Sequence, residues 1–293
     1  MEKFKATQGK RHDYLGMVLD YSTPGVLRVE MKDYIQAMVE EFPEELDGKE
    51  KCPWNDKLFR VDKKMKKLDK HKAELFHTFV AKGLFLCKRA RQDIAPSIAF
   101  LTTRVNEPNI GDWSKLKRTM NYLKSTKEDI LELHAERLDE IKWYLDAAFA
   151  VHRDMKSHTG AVMTFGKGGI QSISTKQKVN ARSSTEAELI SVDDAIAKIL
   201  WTKYFLEAQG ITITLNVVYR DNTSSMKLEE NGKASSGKRT RHFNIKYFYI
   251  TDLIQRGEVT IKYCPTDDMI ADYMTKPITG KKFQEFKKAI MGN

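Results

Sequence analysis

The order of hydrophobic periodicities in the second half of the chain constrains its fold most. Apolar runs at 142–150, 160–165 and 170–175 are strand-length, and short connections separate them, so neighbouring strands should run antiparallel. Gly166-Lys167-Gly168-Gly169 closes the second connection, because glycine supplies the positive φ that a tight hairpin needs. A long helix follows, to about Ala208. Ser183, Ser184 and Thr185 precede it, and Ser183-x-x-Glu186 has the form of a capping box. Further on, 213–219 reads as a strand, 222–231 and 242–256 as helices, 259–264 as a strand, and the chain from Asp268 as helical. Three antiparallel strands, a helix, then alternating strands and helices make a mixed α/β layout.

The first half has a different character. Residues 14–19 and 26–30 alternate apolar and polar and are joined through Ser22, Thr23, Pro24 and Gly25, which predicts one hairpin. A helix over 31–42 should stop at Pro43. A lysine-rich loop (Lys63, Lys64, Lys66, Lys67, Lys70, Lys72) precedes helices expected over 73–89, 94–105 and 113–124. The charged stretch 127–140 reads as a connector, so two domains are expected, 1–135 and 136–293. No apolar stretch reaches the roughly 18 residues of a membrane span, and the N-terminus lacks the apolar core of a signal peptide. Cys52, Cys87 and Cys264 are far apart, which fits free thiols in a reducing compartment and excludes a zinc-type ligand spacing. An excess of ten basic over acidic residues suits a polyanionic partner without establishing one.

Against that layout, four acidic residues stand out. Asp146 interrupts the apolar strand Trp143-Tyr144-Leu145-Asp146-Ala147-Ala148, where a carboxylate costs several kcal/mol unless it is paired, exposed or neutralised by a metal. At about 100° per residue, Glu188 lies about 40° from Val192 and so joins the apolar stripe of its helix with Ala195, Ile196 and Ile199. Glu186, about 120° from Val192, should face solvent or cap the helix. Asp221 follows the strand Val217-Val218-Tyr219-Arg220, at the carboxyl end where α/β sheets place their sites. Asp272 lies on the late helical segment, with Asp268 as a rival. Each has a plainer alternative: a local hydrogen bond for Asp146, a buried Lys or Arg partner for Glu188, a helix cap for Asp221, solvent for Asp272. Taken together, an all-carboxylate set suits two hard divalent ions, Mg²⁺ or Mn²⁺, rather than zinc.

These residues sit in segments that resemble the ribonuclease H domain of copia-type LTR retrotransposon polyproteins. Tyr144-Leu145-Asp146-Ala147 resembles the first aspartate strand, and Ser157-His158-Thr159-Gly160 the turn region after it. Ser174-Thr175-Lys176-Gln177 with Ser183-Ser184-Thr185-Glu186-Ala187-Glu188 resembles the glutamate signature, and Asp221-Asn222 the third acidic site. Lys238-Arg239-Thr240-Arg241-His242 and Ala271-Asp272-Tyr273-Met274-Thr275-Lys276-Pro277 resemble the two closing motifs. In the first half, Tyr14-Leu15-Gly16-Met17 resembles the family's primer-grip hairpin. Arg91-x-Asp93-Ile94 and Trp113-x-x-Leu116-Lys117-Arg118 with Tyr122-Leu123-Lys124 resemble its thumb and connection helices.

The resemblance implies an α/β ribonuclease H-like mixed five-stranded sheet with flanking helices, preceded by a mainly helical thumb and connection domain. It implies metal ligation by Asp146, Glu188, Asp221 and Asp272 and cleavage of the RNA strand of RNA–DNA hybrids. It also implies an intracellular setting and an upstream polymerase segment as partner. Lys238, Arg239, Arg241, Lys115, Lys117 and Arg118 are the candidate nucleic-acid contacts; a solvated charge run is the alternative for the first three. The Tyr-x-Asp-Asp box of the polymerase has no counterpart, since Asp193-Asp194 and Asp267-Asp268 lack the preceding aromatic, so DNA synthesis is not expected. No histidine precedes the last aspartate, where Cys264-Pro265-Thr266-Asp267 stands instead. The main rival is a catalytically silent nucleic-acid-binding remnant. A transposase or integrase of the same broad fold would call for a different acidic triad.

Overall fold

The computed structural model describes residues 8–232 and 248–293. Two five-stranded sheets organise it. The first comprises β1 (Arg11–Tyr14), β2 (Met17–Asp20), β3 (Val26–Glu30), β4 (Leu131–Ala135) and β7 (Gly166–Lys167), antiparallel throughout in the order β1-β2-β3-β4-β7. The second comprises β5 (Glu140–Ala148), β6 (His158–Thr164), β8 (Gln171–Lys176), β9 (Leu215–Arg220) and β10 (Thr260–Tyr263), in the order β10-β9-β5-β6-β8. Here β5, β6 and β8 pair antiparallel, while β9 and β10 run parallel to β5. This is the mixed five-stranded sheet that the resemblance implied, built from the five strand-length runs of the second half.

Two expectations are corrected. The run 14–19 is not one strand: Leu15 (φ 50°) and Gly16 (φ 75°) form a two-residue turn between β1 and β2. Positive φ at both central residues matches the twist of a tight hairpin, so the opening is a three-stranded meander. The charged stretch 127–140 is not a bare connector either. It contains β4, whose Leu131 is buried and which pairs with β3 on one side and β7 on the other. Alternating Leu131 and Leu133 among charges is a half-buried strand pattern.

Helices α1 (Lys32–Glu41), α2 (Lys70–Cys87), α3 (Ala95–Thr102) and α4 (Ile110–Ser125) make up the helical part. Two of them begin three residues earlier than their apolar periodicity suggested, because polar caps start them. The Asp69 carboxylate accepts from the Lys72 N–H at 2.8 Å, and Asn109 and Asp112 form a reciprocal capping box at the start of α4. Helices α5 (Ser184–Ala208), α6 (Thr223–Asn231), α7 (Tyr249–Gln255), α8 (Asp272–Thr275) and α9 (Gly280–Met291) follow. The beginning of the helix expected from His242 lies outside the described residues.

The cores show how the halves are joined. One cluster fills the space between the mixed sheet and its helices, with Trp143, Leu145 and Val218 packed on Val192, Ala195 and Ile199 of α5. Another is built from α1 to α4 but takes in Tyr273, Met274, Phe283, Phe286 and Ile290 of α8 and α9. The Trp54 indole N–H donates to the Ile278 carbonyl at 2.8 Å, and the Tyr273 hydroxyl to the Asp93 carbonyl at 2.8 Å. The segment carrying Asp272 is therefore clamped between the sheet and the helical part. Among the described residues, no helix is long and apolar enough to cross a membrane.

Candidate active site

The parallel register sets the site. Tyr144 of β5 lies opposite Tyr219 of β9, and two residues further along each strand come Asp146 and Asp221. Glu188 reaches the same sheet end from the first turns of α5. Ligand atoms of Asp146, Glu188 and Asp221 all lie within 4.8 Å of one another. Asp146 and Glu188 are buried and Asp221 is half-buried.

Asp272, also buried, is not one of that trio but is tied to it through Lys276. The Lys276 ammonium lies 2.7 Å from Asp272 Oδ1 and 3.5 Å from Asp146 Oδ2. The Thr275 hydroxyl donates to Asp146 Oδ2. Asp268, the rival, lies in the exposed turn Thr266–Asp268, where Thr266 donates to Asp221 Oδ2 at 3.0 Å.

The helical-phase argument separates the two glutamates as expected. Glu188 meets the carboxylates, whereas Glu186 caps the helix, accepting from the Arg182 N–H at 2.6 Å. The box is therefore closed one residue earlier than its sequence form implies. Ser183 Oγ accepts from the Glu186 N–H at 3.1 Å, but the return bond goes to Arg182 rather than to Ser183.

Two cations were missed. Arg220, completely buried, donates to Glu188 Oε2 at 2.8 Å, to the Glu188 carbonyl at 3.0 Å and to Ser191 Oγ at 3.0 Å; Glu229 lies 3.3 Å from it. The signal was present: Arg220 shares strand parity with the core residue Val218, so a charge had to face α5. The buried-arginine alternative for Glu188 and its meeting with other carboxylates are thus both realised. Lys276 belonged to a quoted motif, but nothing in its spacing assigned it a partner.

Burial, with the Asp146 and Asp221 charges adding to it and Arg220 opposing, pushes the Glu188 carboxyl up to about 8. Burial and Asp146 push Asp272 up to about 7, against Lys276. Raised carboxyl pKa values mean that the folded state holds protons the unfolded chain releases, so metal-free stability should fall as pH rises through these values. His152 and His158, both pushed down by burial, act in the opposite sense, but only below their unfolded value of about 6.5. Urea unfolding in chelator is therefore expected to show stability falling between about pH 6.5 and 8, the upper limit set by Glu188, and levelling off above it. Glu188→Gln should remove most of that decline; a flat wild-type profile would contradict the clustering.

Gly160, opposite Asp146 on β6, lets α8 approach. A Cβ there would lie 2.5 Å from Thr275 Cγ2, 2.9 Å from the Ala271 carbonyl oxygen and 2.9 Å from Met274 Cβ. Gly160→Ala is expected to cost about 1–3 kcal/mol in urea unfolding, because backbone as well as side chain must give way.

Lys115, Lys117 and Arg118 line a cleft of about 790 Å³ between α4 and residues 44–65. All three are engaged within the chain. Lys115 donates to the Arg60 carbonyl, Lys117 pairs with Glu44 at 2.9 Å, and Arg118 pairs with Glu50 at 2.5 Å. Lys238, Arg239 and Arg241 lie outside the described residues.

No family model matches the chain. It is 31% identical over 202 residues to "Retrovirus-related Pol polyprotein from transposon TNT 1-94" of Nicotiana tabacum, and 32% identical over 202 residues to that from transposon RE1 of Arabidopsis thaliana. The aligned part is 68% of this chain but only 15% and 14% of those relatives, so the chain spans a small fraction of their length. Among solved structures it is similar to an RNase H1 isolated from compost (16% identity, TM-score 0.37, covering 47% of this chain and 94% of that one). It is also similar to a foamy viral protease-reverse transcriptase in complex with dsDNA (10% identity, TM-score 0.44, covering 89% and 46%). At such scores the fold rests on the strand order itself. On the shared sequence identity, this chain is a homologue of the retrovirus-related Pol polyproteins of plant transposons.

Proposed function

We propose that this chain is the ribonuclease H-type nuclease of a copia-type retrotransposon polyprotein and hydrolyses the RNA strand of RNA–DNA hybrids. In this reading residues 136–293 carry the chemistry, and residues 1–135 are a thumb and connection part that grips the duplex. The observation that carries it is the meeting of Asp146, Glu188 and Asp221 at one sheet end, with Asp272 beside them.

An all-oxygen donor set with two carboxyls pushed up by burial and by the neighbouring Asp146 and Asp221 charges fits a hard divalent cation, Mg²⁺ or Mn²⁺. Asp146, Glu188 and Asp221 would hold it, with Asp272 at the edge. Such ions, when bound, supply an activated water and charge neutralisation for in-line displacement at phosphorus. The chain's own part is positioning. β5 and β9 hold Asp146 and Asp221 rigidly, Arg220 fixes the Glu188 side chain, and Thr275 and Lys276 orient Asp146. Two ions, as the sequence suggested, would compete with Lys276 for Asp146 and Asp272. A hybrid of A-like form would be gripped through shape and phosphates, with little sequence preference.

Arg220 favours a second reading, because a guanidinium already bonded to Glu188 takes up a ligand the ions would need. In that reading the chain binds nucleic acid without cutting it. Purified protein with an end-labelled hybrid and Mg²⁺ or Mn²⁺ separates the two. Cleavage confined to the RNA strand and abolished by chelator is expected; a bound hybrid whose RNA stays intact with both metals establishes the silent reading.

A further inference from the structure

A second charged cavity, of about 400 Å³, opens at the sheet end that carries the carboxylates. It lies between residues 59–63, the end of α3, the turn after β5 and the end of β8. Lys63, Arg104, Arg153 and Lys176 line it, against one carboxylate, Asp154. Arg104 is bonded to Asp112 at 3.1 Å and Lys176 to Asp154 at 2.7 Å. Lys63 and Arg153 are exposed and make no ion pair among the described residues. The partial negative charge at the end of α3 opposes an anion here, but only weakly against the surplus of cations. Burial, with Lys176 adding to it, pushes His152 down to about 4, so its ring is neutral at pH 7 and the charge comes from Lys and Arg.

The cavity is also mechanically connected to the carboxylates. Ser174 Oγ donates to the Met274 carbonyl at 2.8 Å, so it accepts from His158 Nε2 at 2.9 Å. His158 Nδ1 then accepts from His152 Nε2 at 2.9 Å, which fixes both tautomers. The Phe59 ring packs against both imidazoles. A buried relay thus runs from the cavity wall to α8, the helix that begins with Asp272. His158 sits two residues, about 7 Å, along β6 from the Gly160–Asp146 pair. A nucleic-acid strand carries a phosphate about every 3.4 Å of axis, so the cavity is within a few nucleotides of the cluster.

We propose that this cavity binds a backbone phosphate of the nucleic acid and sets the register of the strand presented to the carboxylates. The proposal rests on the nuclease reading for its register role, but its test reads binding alone. The probe is a fluorescent RNA–DNA hybrid in chelator, titrated by anisotropy at several salt concentrations. Lys63→Glu with Arg153→Glu should weaken binding by about 10- to 100-fold and reduce the salt slope by about 1, near 0.9 for the one phosphate no longer neutralised. Unchanged affinity and slope, with wild-type thermal stability, would overturn it. So would a wild type stabilised by inorganic phosphate through these residues while hybrid affinity stays the same, since the cavity would then take a free anion. A wild type that cuts nothing with Mg²⁺ or Mn²⁺, while the double variant loses the hybrid, leaves the phosphate site standing and removes only the nuclease reading.

Discussion

Asp146→Asn is expected to lower cleavage of an RNA–DNA hybrid by about a thousandfold or more while leaving the fold intact. The carboxylate sits at the centre of the site: it is within 4.8 Å of ligand atoms of Glu188 and Asp221, accepts from Thr275, and faces Lys276 at 3.5 Å. An amide of the same shape keeps the Thr275 bond through its carbonyl oxygen but removes the charge that would hold a divalent ion. Losing about 4 kcal/mol of transition-state stabilisation corresponds to about a thousandfold in rate. Single-turnover cleavage of a labelled hybrid gives the rate, and anisotropy with the same hybrid shows whether binding survives. A variant within tenfold of wild type would remove Asp146 from the chemistry and the nuclease reading with it.

The largest stability effect is expected far from that cluster, at Asp93. Arg91 and Asp93 are completely buried and joined in a fork, Nε to Oδ1 at 2.9 Å and a terminal nitrogen to Oδ2 at 2.8 Å. Tyr122 of α4 donates to Asp93 Oδ2 at 2.5 Å, and Arg91 also donates to the Thr126 carbonyl at 2.8 Å. Asp93→Ala leaves a guanidinium in the core with Asp129 as its nearest carboxylate, at 3.9 Å. Breaking a buried pair in this way costs about 3–5 kcal/mol, because the remaining buried charge keeps only the longer Asp129 contact and its bonds to Thr126. The midpoint in urea should fall accordingly, with a smaller loss for Asp93→Asn, which keeps the hydrogen-bonding shape. A change below about 1 kcal/mol would mean that the core relaxes to hydrate Arg91. Because Tyr273 of α8 hangs from the Asp93 carbonyl, the same variant should loosen the helix that carries Asp272.

Helical phase distinguished Glu188 from Glu186, and strand parity could have placed Arg220 on the buried face. Both are local geometries that repeat every 3.6 or two residues, so a side chain's direction follows from its neighbours. The strand β4 was hidden because charges flank two leucines, and its pairing partners lie about a hundred residues before it and thirty after it. The three-stranded opening was hidden because a leucine occupies a positive-φ turn position, which sequence patterns reserve for glycine or asparagine. Polar caps moved the starts of α2 and α4 outward, since a helix continues past its apolar stripe until a side chain ends it.

The sequence by itself determined the mixed α/β order of strands and helices in the second half and set Glu188 apart from Glu186, because alternation and helical phase are written in consecutive residues. The full set of four carboxylates came from the motifs around them. Only the tertiary structure decided which charges stand among them. Glu188 is held by Arg220, thirty-two positions away, and Asp146 by Lys276, from the far end of the chain. These pairings arise where β5, β9, α5 and α8 converge, and no periodicity records which cation a buried carboxylate will meet. The same convergence brings α8 and α9 into the core of the helical half, so the edge of the site depends on packing that begins with Arg91 and Asp93.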